Sequence, residues 1–503
     1  MQKTISIKSV EYSINEKPIL QGVSFSCNEK ERLCIFGENG AGKSTMLKII
    51  MGAIETDSGT IERQGHIRLL YVPQEFDQEY YPLTVEEYIV KLAGPAFFKK
   101  VEDISTALGF NTERFKAKTC GSLSGGQQKI VALSVAFALR PDFLLLDEPE
   151  NHLDIISRKV LIEFLIDFKG GVIFISHDRL LIDSIATKIG ELADGKMNIS
   201  EGDYDDYIEM KMRRIGGLQR EFDKEAKRIK QLSANISILQ QKAFRGKEVS
   251  AYRKAKEELD ALKAAHKESG RPDEKKTKIR LAQTDEKLYN GKLICRIKDG
   301  LFKYEGAKLR TFGEANLEVR SGNKIVLIGR NGSGKSTFLK CLTGELPLTK
   351  GEIAWASDVK WAYFDQHSSF GPDQTAVQII KDKLQCGDTD AQAALGAMRF
   401  DMARMIAPVR TLSGGERMRI RFAMVFGKKP DFIVLDEPTN HIDEVTWEIL
   451  LHACTISKSS ILLVTHDHEF IEAFKPTVFW MIHDHKILER HKELDVLLEE
   501  LKQ

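Results

Sequence analysis

Apolar and polar positions alternate in two stretches of the chain that begin in the same way. Four segments of this kind predict β-strands: Ile5–Tyr12, Arg32–Phe36, Ile294–Tyr304 and Lys324–Ile328. Short apolar runs that end at Asp-Glu or at Ser/Thr-His are typical of buried parallel strands: Phe143–Leu146, Val172–Ser176, Phe432–Leu435 and Ile461–Thr465. Glycine-rich loops lead into helical patterns at Ser44–Met51 and Ser336–Leu342. Strands that alternate with helices predict an α/β fold with a parallel core sheet.

Four motifs occur twice in the same order. GENGAGKST begins at Gly37 and GRNGSGKST at Gly329, which is 292 positions later. LSGGQ/LSGGE, LDEP and the Ser/Thr-His-Asp motif each recur 289 positions apart. The difference of three residues is explained by small loop deletions, so the sequence predicts one duplicated domain.

Between the two copies the pattern becomes helical. Apolar residues at three- and four-residue spacing form a first seam: Ile215, Leu218, Phe222, Ile229, Leu232, Ile236 and Leu239. Tyr252, Ala255, Leu259 and Leu262 start a shorter one. We expect an antiparallel helical hairpin with its tip at Ala243–Gly246. A further amphipathic helix of uncertain role is expected within Glu489–Lys502.

Charge is distributed unevenly along the chain. The 503 residues carry a net charge of +1, but Lys211–Arg280 holds 21 Lys+Arg and 10 Asp+Glu, a local +11. A basic nucleic-acid module is therefore excluded for the whole chain but not for its middle. A solvated coiled-coil spacer is the alternative. No apolar stretch is long enough to span a bilayer. Seven cysteines without a C-x-x-C pair indicate reduced thiols in a cytoplasmic protein.

Both glycine-rich loops match the phosphate-binding pattern G-x-x-x-x-G-K-S between a strand and a helix. Backbone N–H groups and the helix N-terminus would surround phosphate oxygens, and the lysine would reach the β- and γ-phosphates. The predicted nucleotide-binding residues are Gly37, Glu38, Asn39, Gly40, Ala41, Gly42, Lys43, Ser44 and Thr45, and Gly329, Arg330, Asn331, Gly332, Ser333, Gly334, Lys335, Ser336 and Thr337.

Acidic residues follow the buried strands and suit metal-assisted hydrolysis. Ser44 with Asp147, and Ser336 with Asp436, are predicted to hold Mg²⁺. Glu148 and Glu437 come next in the chain. On an extended chain end they would point away from the metal and towards the attacking water, as a general base must. A strand-end salt bridge is the alternative. His177 and His466, at the ends of the next strands, are predicted to be catalytic as well.

With these motifs the chain resembles the ATP-binding cassette ATPases, whose signature is LSGG. The resemblance implies two cassettes arranged head to tail around two ATP molecules. The signature residues that would contact the γ-phosphate bound to the other cassette are Ser124, Gly125, Gly126, Ser413, Gly414 and Gly415. Gln74 and Gln366 match the glutamine loop that senses Mg²⁺ and water, although either could be a surface amide. The cofactors implied are ATP and Mg²⁺.

More narrowly, the chain resembles the ABC-F proteins. Tandem cassettes, a charged helical linker, E-P-x-N-H-[LI]-D and GDYDDY at Gly202–Tyr207 carry this resemblance. It implies an ATPase domain at 1–207, a basic linker at 208–290 and a second ATPase domain at 291–503. It also implies a cytoplasmic monomer that needs no membrane and no partner chain for its ATP sites. ATP-loaded ABC-F proteins bind the ribosome near the tRNA exit site, where the linker reaches ribosomal RNA and the P-site tRNA.

Several positions depart from the family pattern. Glu150 stands where threonine is common; it could raise the pKa of Glu148, repel phosphate or face solvent. Tyr304 is the predicted adenine-stacking residue of the second cassette, whereas Ile14 stands at that place in the first. Arg179 corresponds to His468. We therefore predict two inequivalent ATP sites.

Other functions remain open on the sequence alone. One is an ATPase subunit of a membrane transporter, and another is an ABC-F ATPase that acts on branched DNA. Within the ribosome hypothesis, a housekeeping factor and an antibiotic-protection factor are not separable. Phe244, near the linker tip, is a candidate for stacking on RNA or reaching a drug site, and equally for an exposed apolar residue.

Overall fold

The computed structural model describes residues 3–38, 40–244, 254, 256, 259, 291–306, 309–364, 370–440 and 442–502. Those within 1–199 and 286–503 form one unit, and those within 200–285 form a second. The domain boundaries given above remain predictions.

The first cassette alternates strands and helices as predicted. Its strands are β1 (Thr4–Ile14), β2 (Lys17–Asn28), β3 (Arg32–Phe36), β4 (Ser58–Gln64), β5 (Leu69–Val72), β6 (Phe143–Asp147), β7 (Gly171–Ile175), β8 (Lys188–Ala193) and β9 (Lys196–Glu201). Its helices are Lys43–Met51, Val85–Ala93, Phe98–Ala107, Thr112–Phe115, Gly125–Leu139, Ile155–Asp167 and Arg179–Ile185. One sheet has the order β5-β6-β7-β3-β8-β9, with parallel pairing from β5 to β8, and a smaller antiparallel sheet has the order β2-β1-β4.

The second cassette repeats this strand order, but its antiparallel and parallel strands form one continuous sheet. Its strands are β10 (Leu293–Phe302), β11 (Phe312–Arg320), β12 (Lys324–Gly329), β13 (Lys350–Trp355), β14 (Trp361–Phe364), β15 (Phe432–Asp436), β16 (Ser460–Val464), β17 (Val478–His483) and β18 (Lys486–Arg490). Its helices are Lys335–Leu342, Ala376–Leu384, Asp388–Ala397, Met402–Met405, Gly414–Gly427, Glu444–Ile456, His468–Phe474 and Leu494–Lys502. They flank one sheet, β13-β10-β11-β18-β17-β12-β16-β15-β14.

The central strands are buried along their whole length. Every residue of β3, β6 and β7 is buried, which is expected for parallel strands with helices on both faces. Because the carboxyl ends of these strands meet at one edge, the residues after β3, β6 and β7 are brought together there. The predicted α/β fold with a parallel core sheet is confirmed.

The C-terminal helix is shorter than predicted and has a definite packing partner. It begins at Leu494 because Glu489 and Arg490 complete β18. The buried apolar cluster that contains Leu497 and Leu498 also contains Ile155 and Ile156 of the first cassette. The helix therefore joins the two cassettes.

The second unit contains a helix of 41 residues, Tyr204–Phe244. Ile236 is buried and Leu232 is half-buried, whereas Lys224, Lys227 and Arg228 are exposed, as the predicted seam requires. Leu259, from the second predicted seam, is also buried. The rest of the predicted tip and second helix, including the Phe244 side chain, lies outside the described residues. Among the helices that the structure describes, no segment is long and apolar enough for a transmembrane span.

Candidate active site

The two phosphate-binding loops have the same geometry. Lys43 Nζ donates to the carbonyl oxygens of Gly37 (2.7 Å) and Glu38 (3.0 Å). Lys335 Nζ does the same with Gly329 (2.8 Å) and Arg330 (3.4 Å). Both lysines are buried, and burial lowers the pKa of each side chain while nearby carboxylates oppose that shift. A buried cation at the start of a helix fits the phosphates of a nucleotide.

Glycine is required immediately before each of these lysines. Gly42 and Gly334 adopt φ of 98° and 104°, a left-handed conformation that residues with a side chain avoid. A Cβ at Gly42 would lie 2.6 Å from Ile19 Cγ2, and one at Gly334 would lie 2.7 Å from Thr311 Cγ2. The loop can therefore close around a ligand only with glycine at these positions. Asn39 lies outside the described residues.

A carboxylate and a serine hydroxyl meet beside each lysine. Asp147 ends β6, accepts a hydrogen bond from Tyr71 Oη (3.1 Å) and lies next to Ser44. Asp436 ends β15, accepts from Tyr363 Oη (3.3 Å) and lies next to Ser336. Burial raises the pKa of both carboxyls. Hydroxyl and carboxylate oxygens are ligands that Mg²⁺ prefers, so this donor set fits the predicted metal.

The two candidate bases do not lie on extended chain, and that expectation is wrong. Glu148 and Glu437 have φ of 45° and 48°, in the left-handed region that non-glycine residues rarely occupy. The chain thus turns sharply at the same position in both cassettes, directly after the metal-binding carboxylate. Such strain, held identically in two copies, is typical of functional residues.

Glu148 is fixed by two amide side chains. Gln74 Nε2 donates to its Oε2 at 2.7 Å, and Asn151 Nδ2 donates to the same oxygen. The glutamine loop therefore reaches the candidate base of the first cassette. Asn151 was not predicted as a site residue, although its recurrence at Asn440 could have suggested it. Gln366 lies outside the described residues.

The two predicted catalytic histidines, His177 and His466, have different surroundings. His466 Nε2 lies 3.3 Å from Glu437 Oε1, whereas His177 Nε2 has no hydrogen-bond partner among the described residues. Burial lowers the pKa of His177 to about 4. Burial also lowers the pKa of His466 well below its ordinary value, so both side chains are neutral at pH 7. Burial raises the pKa of Glu437 to about 7. The predicted inequivalence thus has a structural counterpart.

The cassettes contact one another head to tail. Asn331 of the second phosphate loop donates through its backbone N–H to Asp154 Oδ2 (2.9 Å) and through Nδ2 to the His152 carbonyl (2.7 Å). A Cβ on the signature residue Gly126 would lie 3.1 Å from Asn331 Nδ2. In the opposite pair, Asp443 is close enough to Lys43 for its charge to oppose the lowering of the Lys43 pKa by burial. Each phosphate loop therefore faces the other cassette.

The signature serines begin helices. Ser124 and Ser413 cap Gly125–Leu139 and Gly414–Gly427, and each accepts a hydrogen bond from the backbone N–H three residues later. Gly125 and Gly414 are the first residues of these helices, and Gly415 lies beside Asp443. The N-terminal, partially positive ends of both helices thus lie at the contact between the cassettes.

Glu150 is buried, so the option that it faces solvent is wrong. Ser176 Oγ donates to its Oε1 at 2.6 Å, and burial raises the pKa of Glu150 to about 7. Lys129, also buried, donates to the carbonyls of Gln74 (3.0 Å) and Asp147 (3.2 Å). At the corresponding positions the second cassette has Thr439, which pairs with Thr465, and Met418.

Lys129 was missed as a site residue. The negative charge of Glu150 opposes the effect of burial, which lowers the pKa of Lys129 to about 8. The buried cation and the buried carboxyl are thus both present in the first cassette and both absent at the matching positions of the second. Aligning the two copies, with Lys129 opposite Met418 and Glu150 opposite Thr439, is the signal that could have found the pair.

Tyr304 is half exposed, and its hydroxyl lies 3.1 Å from Thr337 Oγ1. The predicted adenine-stacking residue is therefore adjacent to the second phosphate loop. Ile14 is exposed at the end of β1, while Tyr12 packs against the core. The first cassette thus presents an aliphatic side chain where the second presents an aromatic one.

Comparison with known proteins agrees with this architecture. The family described as "ABC transporter" matches residues 20–151 and 312–440. "ATP-binding protein Uup" of Haemophilus influenzae is 31% identical, and the alignment covers 93% of this chain and 77% of that protein. "ABC transporter F family member 2" of Arabidopsis thaliana is 29% identical, with 93% and 75% covered. The chain belongs to the ABC-F family of ATP-binding cassette proteins.

The fold of this ABC-F protein is also found in a solved structure. The crystal structure of the complex of archaeal ribosomal stalk protein aP1 and archaeal ribosome recycling factor aABCE1 superposes with a TM-score of 0.68. It is 19% identical and covers 98% of this chain and 92% of that one, so the likeness concerns the fold. As a member of this family with two ATP-binding cassettes, the ABC-F protein binds nucleotide and is an ATPase.

Proposed function

We propose that the ABC-F protein hydrolyses ATP at two composite sites. Glu148 and Glu437 orient the attacking water and accept its proton, and neutral His177 and His466 position the γ-phosphate. Lys43 and Lys335 bind phosphate oxygens, while Ser124 and Ser413 bring a helix N-terminus from the other cassette. The strained backbone at both glutamates supports the assignment of the bases.

Mg²⁺ would neutralise phosphate charge and is assigned to the paired hydroxyl and carboxylate oxygens. Ser44 with Asp147, and Ser336 with Asp436, would hold it, with Gln74 and Gln366 nearby. Each carboxylate, Asp147 or Asp436, lies next to its serine and close to a buried lysine, which supports this arrangement. Tyr304 would stack on the adenine of the second site.

We further propose that the ATP-loaded protein binds the ribosome near the tRNA exit site and acts on translation. The observation that carries this proposal is the basic segment between the cassettes, which has a net charge of +11 and a helix on which Lys224, Lys227 and Arg228 are exposed. A positively charged helix of this kind suits ribosomal RNA and the P-site tRNA, because phosphate contacts dominate such affinity. The fold shared with an archaeal ribosome recycling factor supports the same function.

A sedimentation experiment tests ribosome binding. The Glu148→Gln/Glu437→Gln variant is expected to hold ATP with the cassettes closed and to pellet with ribosomes. The control adds Lys43→Ala and Lys335→Ala, which remove the phosphate-binding cations, and should stay in the supernatant. If the trapped protein also stays in the supernatant with ATP, the ribosome proposal is wrong.

The remaining candidates give different results in the same assay. Tighter binding to branched DNA than to ribosomes at matched salt would favour the DNA hypothesis, since salt governs both affinities. A transporter subunit would bind neither. Protection of in vitro translation from an antibiotic would separate a resistance factor from a housekeeping one.

A further inference from the structure

One arginine of the first cassette connects three loops of the molecule. Arg158 lies in the helix Ile155–Asp167 and is largely buried. Its Nη1 donates to Asp178 Oδ2 at 3.0 Å and to the carbonyl oxygen of His466 at 3.2 Å. Its Nε donates to the carbonyl of Leu153 at 3.2 Å. The guanidinium thus joins the histidine loop of its own cassette to the histidine loop of the other.

Through these contacts Arg158 is connected to two loops of the second ATP site, the phosphate loop and the histidine loop. Leu153 lies between His152 and Asp154, which hold Asn331 of the second phosphate loop. His466, whose carbonyl Arg158 binds, has its ring 3.3 Å from Glu437. The same guanidinium therefore supports both the phosphate loop and the histidine of the second ATP site.

Within the part of the second cassette that the structure describes, no side chain forms an equivalent bridge. Trp447 stands at the position that corresponds to Arg158, and its Nε1 donates to Asp467 Oδ2 at 2.7 Å. The indole has a single donor, so once it binds its own histidine loop it has none for the other cassette. Both side chains bind the His-Asp loop of their own cassette, and of these two described residues Arg158 alone also binds the opposite loop.

We propose that Arg158 is a positioning residue through which the first cassette fixes the histidine loop of the second, and that this coupling acts in one direction. It orients His466 against Glu437 without contacting nucleotide. Hydrolysis at the site of Lys335, Glu437 and His466 therefore depends on the bond from Arg158 to the His466 carbonyl, whereas the site of Lys43, Glu148 and His177 depends only on the bond to Asp178. The proposal rests on the roles given above to the two glutamates and not on ribosome binding.

Site-specific kinetics test the proposal. Glu148→Gln leaves turnover to the Glu437 site, and Glu437→Gln leaves it to the Glu148 site. Into each background we introduce Arg158→Trp, because tryptophan can keep the bond to Asp178 as Trp447 does to Asp467. We expect kcat to fall about tenfold in the Glu148→Gln background, with KM within about twofold. In the Glu437→Gln background both constants should stay within about twofold.

Two further variants separate positioning from simple loss of contact. Arg158→Lys keeps a cation that can reach the His466 carbonyl and should restore about half of the lost kcat or more. Arg179→Gln removes the ion pair to Glu469 (2.9 Å), which also crosses between the cassettes but is more exposed, and should change neither background. Arg158→Gln replaces Arg158→Trp if thermal melting shows that the tryptophan variant is unfolded.

Three kinetic results would contradict the proposal. Equal losses in both backgrounds, an unchanged kcat in the Glu148→Gln background or a change confined to KM would overturn the role of Arg158. If the double glutamine variant still turns over ATP, the roles assigned to the glutamates are wrong and the proposal fails with them. If the double glutamine variant is inactive and Arg158→Trp lowers kcat equally in both backgrounds, the one-directional coupling is wrong but the roles of the glutamates stand.

Discussion

Glu148 and Glu150 are two residues apart and have different surroundings. Glu148 accepts hydrogen bonds from two amide side chains at the sheet edge. Glu150 is buried against Ser176, and its charge opposes the lowering of the Lys129 pKa by burial. We therefore propose the first, and not the second, as the residue that orients the attacking water. The second holds the loop that carries His177, so we assign it a supporting role in the first site.

The burial of Glu150 predicts a pH-dependent stability. Its pKa is about 7 in the folded protein against an ordinary value of 4.5, so the folded state keeps the proton more firmly than the unfolded state does. Stability from this group is present below pH 4.5 and is lost as pH rises to about 7. Glu150→Gln should therefore gain about 1–3 kcal/mol relative to the wild type between pH 4.5 and 8.

Denaturant unfolding of both proteins across that pH range measures the difference. The other titrating groups are common to the two proteins and largely cancel, with the exception of Lys129, whose pKa depends on the charge of Glu150. A stability difference that stays flat, or that falls as pH rises, would show that Glu150 keeps an ordinary pKa in the fold.

At the level of secondary-structure elements, the C-terminal helix Leu494–Lys502 is the part whose role was least apparent. It contributes four buried leucines to a core that includes two residues of the first cassette. Lys159 and Asp495 form an ion pair of 2.8 Å between the same two helices. The helix thus stabilises the head-to-tail arrangement on which the composite sites depend.

Truncating a leucine of this helix should loosen the contact between the cassettes. Leu498 is fully buried, so Leu498→Ala should cost about 2–5 kcal/mol of unfolding free energy through lost burial and a cavity. Val496, on the same helix, is 47% exposed, and Val496→Ala should cost less than about 0.5 kcal/mol. Thermal melting of the two variants checks this, and equal losses would contradict the packing described.

Sequence reasoning reached the elements and the motif residues but not the contacts between motifs. Strand β3 lies where its apolar run placed it, and β6 and β15 match to within one residue, because buried parallel strands leave an uninterrupted apolar signature. The head-to-tail arrangement followed from family resemblance. Lys129 and Arg158 were missed, since their partners are distant in sequence. Asn151 was missed although its partner Glu148 is three residues away, because residue types do not show the turn that brings the two side chains together.

The backbone conformation at the candidate bases could not be predicted from the residue types either. The left-handed turn at Glu148 and Glu437 depends on the sheet edge that holds it. The conformational preference of glutamate does not predict it. Burial of Glu150 was similarly invisible, because a carboxyl among polar neighbours is usually exposed. Comparing the two copies of one chain partly compensates, since differences at matched positions mark where the sites diverge.

At the level of the whole molecule, two ATP-binding cassettes are joined along the chain by a basic, partly helical segment. Contacts with the γ-phosphate across the cassette interface would favour the closed state, and hydrolysis would remove them. If closure is what allows the linker to bind RNA, then ATP controls ribosome binding, and hydrolysis controls release.

ATP-dependent ribosome binding is tested most directly by a cryo-electron microscopy structure of the Glu148→Gln/Glu437→Gln variant with ATP and ribosomes. We predict closed cassettes at the tRNA exit site, with the helix Tyr204–Phe244 extending towards the P-site tRNA and ribosomal RNA. Ribosomes without bound protein, or bound cassettes whose linker contacts neither RNA, would contradict it.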